Sequence, residues 1–126
     1  MKNSNEKSIK IDNMRSFCAI SNVLDILGDK WTLLIIRDAF AGKKTYGEFQ
    51  ASPESIPTNI LAERLKRLVT HDILKKNPYQ QHPVRYSYEL TDKGHALGPV
   101  LKEVINWGEK YIIDTERKIK ISFNTP

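Results

Sequence analysis

The chain contains a single cysteine, Cys18, which excludes an internal disulfide framework and suits a reducing compartment. Its longest aliphatic run, Leu33-Leu34-Ile35-Ile36, falls far short of the roughly 20 residues that a membrane-spanning helix needs. The polar start Met1-Lys2-Asn3-Ser4-Asn5 has no apolar signal-peptide core, so a cytoplasmic location is expected. There is no glycine-rich phosphate loop and no cysteine pair at zinc spacing. The three histidines, His71, His82 and His95, lie 11 and 13 residues apart, which is not a metal-ligand spacing. A Cys18–His71 nucleophile pair is allowed by the spacing, but no other feature supports it. Neither catalysis nor a metal or other cofactor is expected. No repeat, low-complexity tract or linker divides the 126 residues, the length of one ordinary domain.

What is present is globular: 40% apolar and 28% charged residues, with a net charge of +5. The excess is concentrated. Residues 43–85 hold eight basic and four acidic side chains, whereas residues 16–42 hold two and three and residues 86–126 six of each. A basic middle third is how an anion-binding face reads in sequence, although clustering on a solvated surface produces the same pattern.

The periodicity predicts a mainly α chain with a small β-ribbon. Residues 1–12 read as a loose N-terminal arm, 13–115 as the folded domain and 116–126 as a C-terminal tail. Phe17, Ile20, Val23, Leu24 and Leu27 recur at helical spacing from Met14 to Leu27, with Gly28 as the stop. Asp29 can cap a second, largely buried helix that ends at Gly42. Thr45-Tyr46-Gly47-Glu48 matches a capping box and opens a short helix ending before Pro53. Pro57 suits the first turn of a further helix running to His71, with Ser55 or Ile56 as its cap and Leu61, Leu65 and Leu68 as its core stripe. Residues 73–76 and 84–90 read as strands. The 77–83 segment, with Pro78 and Pro83, reads as a loop too long for a tight hairpin turn. Thr91 and Asp92 open a last helical region through Trp107, with Pro99 near a start or kink, and residues 119–123 alternate as a strand might.

This order of elements is that of a winged helix-turn-helix. A helix of about 14 residues spans about 21 Å, and a major groove about 12 Å wide admits one. The outward side of the 57–71 helix offers Thr58 and Asn59 for base edges and Arg64, Lys66 and Arg67 for phosphates. Lys43 and Lys44 precede the short helix, and His82 and Arg85 lie at the wing over 77–85. Double-stranded DNA is the expected partner. A winged-helix module that binds protein instead is the rival reading, and the basic bias of residues 43–85 argues against it.

Four ordered blocks carry a family resemblance: residues 23–38 (VLDILGDKWTLLIIRD), residues 56–68 (IPTNILAERLKRL), residues 86–94 (YSYELTDKG) and Trp107-Gly108. Together they resemble the HxlR-type winged-helix regulators of bacteria over about residues 17–112. The resemblance implies a homodimer on operator DNA that regulates transcription, with repression the usual behaviour. It places the 57–71 helix as the recognition helix, adding Glu63 as a cytosine reader, while a structural salt bridge is the competing reading of Arg64. Extra N- and C-terminal dimerisation helices follow, with Phe17, Ile20, Leu24, Val104, Trp107, Tyr111 and Ile112 at the contact, and core packing as the alternative for these apolar residues. Cys18 matches the near-N-terminal cysteine that several family members use as a redox sensor. Here Ala19 follows it where the family commonly has proline, and an inert packed thiol is the alternative. An oxidant or a small molecule is the expected signal.

Overall fold

The computed structural model describes residues 15–112. The arm at 1–12, the tail at 116–126 and the alternating segment at 119–123 lie outside the described residues. Within them the order is α1 (Ala19–Leu27), α2 (Thr32–Phe40), α3 (Tyr46–Gln50), α4 (Thr58–Thr70), β1 (Leu74–Gln81), β2 (Val84–Leu90), α5 (Asp92–His95) and α6 (Gly98–Tyr111).

The first helix starts later than its apolar period suggests. Asn22 Nδ2 donates to the carbonyls of Ser16 and Cys18, and the Cys18 N–H donates to Ser16 Oγ, so polar side chains close the helix at Cys18. Gly28 ends it as expected, but with φ −83° rather than in the left-handed region. Glycine is needed there because a Cβ would stand 2.2 Å from the Leu24 carbonyl oxygen. Asp29 then caps α2, its Oδ1 accepting from the N–H groups of Trp31 (3.0 Å) and Thr32 (2.7 Å).

Ile35, Ile36 and Phe40 of α2 pack with Phe49 of α3 and with Leu61, Leu65 and Leu68 of α4 into one core, which Leu74 and Leu101 close. The capping box forms as the sequence predicts: Thr45 Oγ1 accepts from the Glu48 N–H while Glu48 Oε1 accepts from the Thr45 N–H. Pro57 sits one place before α4, at its N-cap rather than in its first turn, and its carbonyl accepts the first helical bond from Leu61 at 2.8 Å. At the other end Asp72 adopts φ 61°, with Asp72 N–H donating to Val69 O and Ile73 N–H to Leu68 O. That is a Schellman motif closed by an aspartate in place of the usual glycine, and it turns the chain directly into β1.

The ribbon corrects the sequence reading. β1 continues through Asn77-Pro78-Tyr79-Gln80-Gln81, and only His82 and Pro83, joined by a cis peptide bond, form the turn. Both strands of a two-stranded ribbon are edges, so Pro78 forfeits no essential ladder bond. The register shift between Pro78 and Gln80 absorbs Tyr79 as a bulge. Thr45 also bridges to Ser87, and the Tyr88 N–H donates to the Lys44 carbonyl at 2.7 Å, tying the base of the wing to the start of α3. Pro99 stands at the start of α6. Among the described residues no helix is long and apolar enough to cross a membrane.

Candidate nucleic-acid interface

The placement of α4 depends on a buried ionic cluster that periodicity does not reveal. Arg37 of α2 donates from Nη1 and Nη2 to the two carboxylate oxygens of Glu54, both at 2.8 Å, from Nη2 to Ser52 Oγ and from Nε to Asp38 Oδ1. Glu54 and Ser52 belong to the turn between α3 and α4, so a bidentate guanidinium pins that turn to the core. The bond from Arg37 holds the Glu54 carboxyl down to about 2 against the opposing effect of burial, and the Ser52 hydroxyl adds to it. The same bond to Glu54 raises Arg37 above its ordinary value. One oxygen, Asp38 Oδ2, is buried without a hydrogen bond, and the Lys43 ammonium stands 3.6 Å from it.

A second cluster secures the middle of α4. Arg64 donates from Nε to Asp29 and from Nη1 to Glu63, while Arg67 lies 3.6 Å from Asp29 and 3.5 Å from Glu63. Burial opposes the charge on Asp29, but the N–H and hydroxyl of Thr32, the N–H of Trp31 and the Arg64 guanidinium together bring its pKa to about 2. The residue that caps α2 therefore also anchors α4.

Of the six α4 residues singled out from sequence, Thr58, Asn59, Glu63 and Lys66 are exposed, and Lys66 has no ion-pair partner among the described residues. Arg64, Arg67 and Glu63 are instead tied to one another and to Asp29, so the salt-bridge reading of Arg64 is the one the geometry realises and Glu63 bridges two arginines. Lys43 leans toward Asp38. Lys44 stays exposed, 3.5 Å from Glu89. His82 and Arg85 are exposed on the wing.

Between the start of α3 and the wing runs a groove of about 400 Å³, lined by Thr45, Tyr46, Gly47, Tyr79, Val84, Arg85, Tyr86 and Tyr88. Tyr46 joins it to α4, its hydroxyl donating to the Thr58 carbonyl at 3.0 Å. Lys76 stands 4.2 Å from the centre of the Tyr86 ring. The sequence reading missed this tyrosine wall because it took 77–83 for a loop. The alternation of Tyr86 and Tyr88 was its only signal.

On the opposite ends of the chain, the seven residues expected at a dimer contact are all exposed in the protomer, from Val104 at 50% to Phe17 at 81%. Cys18 is exposed too, at the N-cap of α1 rather than inside its first turns.

Residues 26–116 match the HxlR-like helix-turn-helix family. The chain is 34% identical over 101 residues to the HTH-type transcriptional regulator YvaP of Bacillus subtilis, covering 79% of this chain and 94% of that protein. The crystal structure of PA1607, assigned as a transcription factor, superimposes with a TM-score of 0.73 at 40% identity, over 84% of this chain and 73% of the other. The reduced form of the redox regulator HypR gives a TM-score of 0.70 at 29% identity, over 80% and 100%. The winged helix-turn-helix architecture thus agrees with sequence and structural kinship, and the chain belongs to the HxlR-like helix-turn-helix family of DNA-binding transcriptional regulators, which are not enzymes.

Proposed function

We propose that the protein is a repressor that binds operator DNA as a homodimer, with α4 in the major groove and the wing on the flanking backbone. The observation that carries this is the continuity of one face: Thr58, Asn59 and Lys66 on α4, then the Tyr46–Thr58 bond, then the groove to Arg85. Asn59 is the base reader, suited to the paired donor and acceptor of adenine. Lys66, Lys44, Arg85 and His82 are backbone contacts, while Arg64, Arg67, Glu63 and Lys43 position the helix and its approach. Support for the homodimer comes from the large apolar side chains left exposed in the protomer, Phe17, Ile20 and Leu24 at and just before α1 and Val104, Trp107 and Tyr111 on α6. Two-fold pairing places half-sites about 34–36 Å apart.

The test is a salt titration of binding to the DNA upstream of the protein's own gene, against a random duplex. Specific binding whose affinity falls steeply with salt supports the reading. In the same assay Lys66→Ala lowers the salt slope by about one on both duplexes. Asn59→Ala costs about 1–3 kcal/mol on the specific duplex and little on the random one. Equal losses on both duplexes would remove Asn59 as a base reader. Cys18 is the proposed oxidant sensor, its exposure at the start of α1 and the redox regulator among the structural relatives being the support. A thiol oxidant should change operator affinity in the parent and not in Cys18→Ser.

A further inference from the structure

The first turn of α4 carries Thr58 and Asn59, and Pro57 at its N-cap supplies no side-chain hydrogen bond to the free N–H groups there. The ionic clusters stop short of this turn on both sides. Arg37 reaches Glu54 before it, and Asp29 meets Arg64 and Arg67 after it. Ile56 and Leu61 flank the turn and are buried, but apolar packing is non-directional and fixes its depth more than its rotation. Among the described residues only one side chain hydrogen-bonds to residues 57–60: Tyr46, whose hydroxyl donates to the Thr58 carbonyl at 3.0 Å. A carbonyl oxygen has two lone pairs, so this bond coexists with the helical one.

Tyr46 is itself held in place. It is the first residue of α3, directly after the capping-box Thr45, and its half-buried ring packs against the core. The Glu48 carboxylate accepts from the N–H groups of Lys44 at 2.7 Å and Thr45 at 3.1 Å. The Lys44 carbonyl accepts from the Tyr88 N–H, and Thr45 bridges to Ser87. The segment that carries Tyr46 is therefore fastened to the wing, and the hydroxyl extends that connection to α4.

We propose that Tyr46 is a positioning residue for base reading: its hydroxyl fixes the rotation of the first turn of α4, and with it the direction in which the Asn59 amide enters the groove. An amide that must meet the paired donor and acceptor of one adenine is sensitive to its orientation. A lysine ammonium on a flexible stem meets a phosphate from many directions. Loss of the hydroxyl should therefore fall on specific binding and spare the rest. The hold on α4 stands on the geometry of the free protein, while its consequence for DNA rests on the roles proposed above for α4 and Asn59.

The experiment uses Tyr46→Phe in the full chain, which removes the hydroxyl and keeps the ring in the core. Amide hydrogen exchange of the free protein reads the hold directly. The Leu61 and Ala62 amides at the first turn should exchange about fivefold faster, with those of Val69 and Thr70 unchanged. No difference, or an equal acceleration along the whole helix, would overturn the hold. On the duplex from upstream of the protein's own gene, affinity should fall about tenfold, with at most about a twofold loss on a random duplex and an unaltered salt slope. In an Asn59→Ala background the same change should cost at most about twofold, because residues that act through one contact are not additive. A merely structural loss would be the same in both backgrounds. Equal losses on both duplexes, a loss that persists in full with Asn59→Ala, or no loss where Asn59→Ala does weaken binding would each overturn the positioning role. If Asn59→Ala costs nothing while the exchange difference is present, the base-reading role of Asn59 falls and the hold of Tyr46 on α4 stands.

Discussion

The two roles open to Arg64, backbone contact or anchor, make different demands on one double-mutant cycle. Its side chain is 18% exposed and that of Asp29 22%, so the pair lies between surface ion pairs, worth up to about 1 kcal/mol, and fully buried ones, whose breakage costs about 3–5 kcal/mol. Arg64→Ala should therefore cost about 2 kcal/mol. Asp29→Ala loses that partner and also the cap on α2, worth about 1 kcal/mol, for a total of about 3 kcal/mol. The double variant should fall short of the sum by about 1–1.5 kcal/mol, the coupling of groups in direct contact. Urea unfolding followed by circular dichroism, at fixed protein concentration because the stability of the proposed dimer depends on it, measures each corner of the cycle. The DNA assay supplies the second axis: an anchoring Arg64 leaves the salt slope unchanged when removed. Coupling below about 0.3 kcal/mol, together with a slope reduced by about one in Arg64→Ala, would refute the anchor and return Arg64 to the phosphate backbone.

The Arg37 cluster makes Glu54→Gln expensive, about 1–2 kcal/mol by thermal or urea unfolding, because a buried guanidinium loses half of a bidentate partner. Acid should find the same weak points. Glu54 and Asp29 are held to about 2 from ordinary values of 4.5 and 3.8, so their stabilisation is complete above the unfolded values and is lost as pH falls toward 2. Allowing for solvent screening, each contributes about 1 kcal/mol to that loss, and Glu54→Gln should flatten the acid limb. Asp72→Gly should stabilise by about 0.5–1 kcal/mol, because Asp72 holds φ 61° without the freedom of glycine; a loss of stability would deny that strain. Trp107→Glu on the exposed face of α6 should convert the proposed dimer to monomer in analytical ultracentrifugation while the protomer keeps its circular dichroism.

Most of the fold was legible because its determinants are local. Thr45 and Glu48 satisfy each other's backbone groups three residues apart, and the Leu61, Leu65 and Leu68 stripe needs only the helical period. The failures came where a local rule met a tertiary exception. Pro78 argued for a loop until a two-stranded ribbon, all edge, made room for it. Asp72, with no glycine to flag it, hid the Schellman turn that joins α4 to β1.

The elements that form the proposed interface were legible in the sequence, and the pairing of their charges was less so. A cation on an outward helix face looks the same in sequence whether it awaits a phosphate or already has a carboxylate, and Asp29 is 35 residues away from Arg64. Residues 43–85 have a net excess of four positive charges, yet Arg64 and Arg67 reach back to Asp29, outside that segment, and Lys43 reaches to Asp38. Each of these pairs draws a cation toward a carboxylate and so lowers the count available to DNA, and the Arg64 and Arg67 pairs also tie α4 to Asp29. Asp29 and Asp38, two of the three acidic residues that make 16–42 look unrelated to the basic segment, are the counter-charges of its cations. Counting charge by segment therefore overstates the cations open to phosphate, and the salt slope of binding should fall closer to the number of cations without an ion-pair partner among the described residues, such as Lys66 and Arg85, than to the number of basic residues in the region.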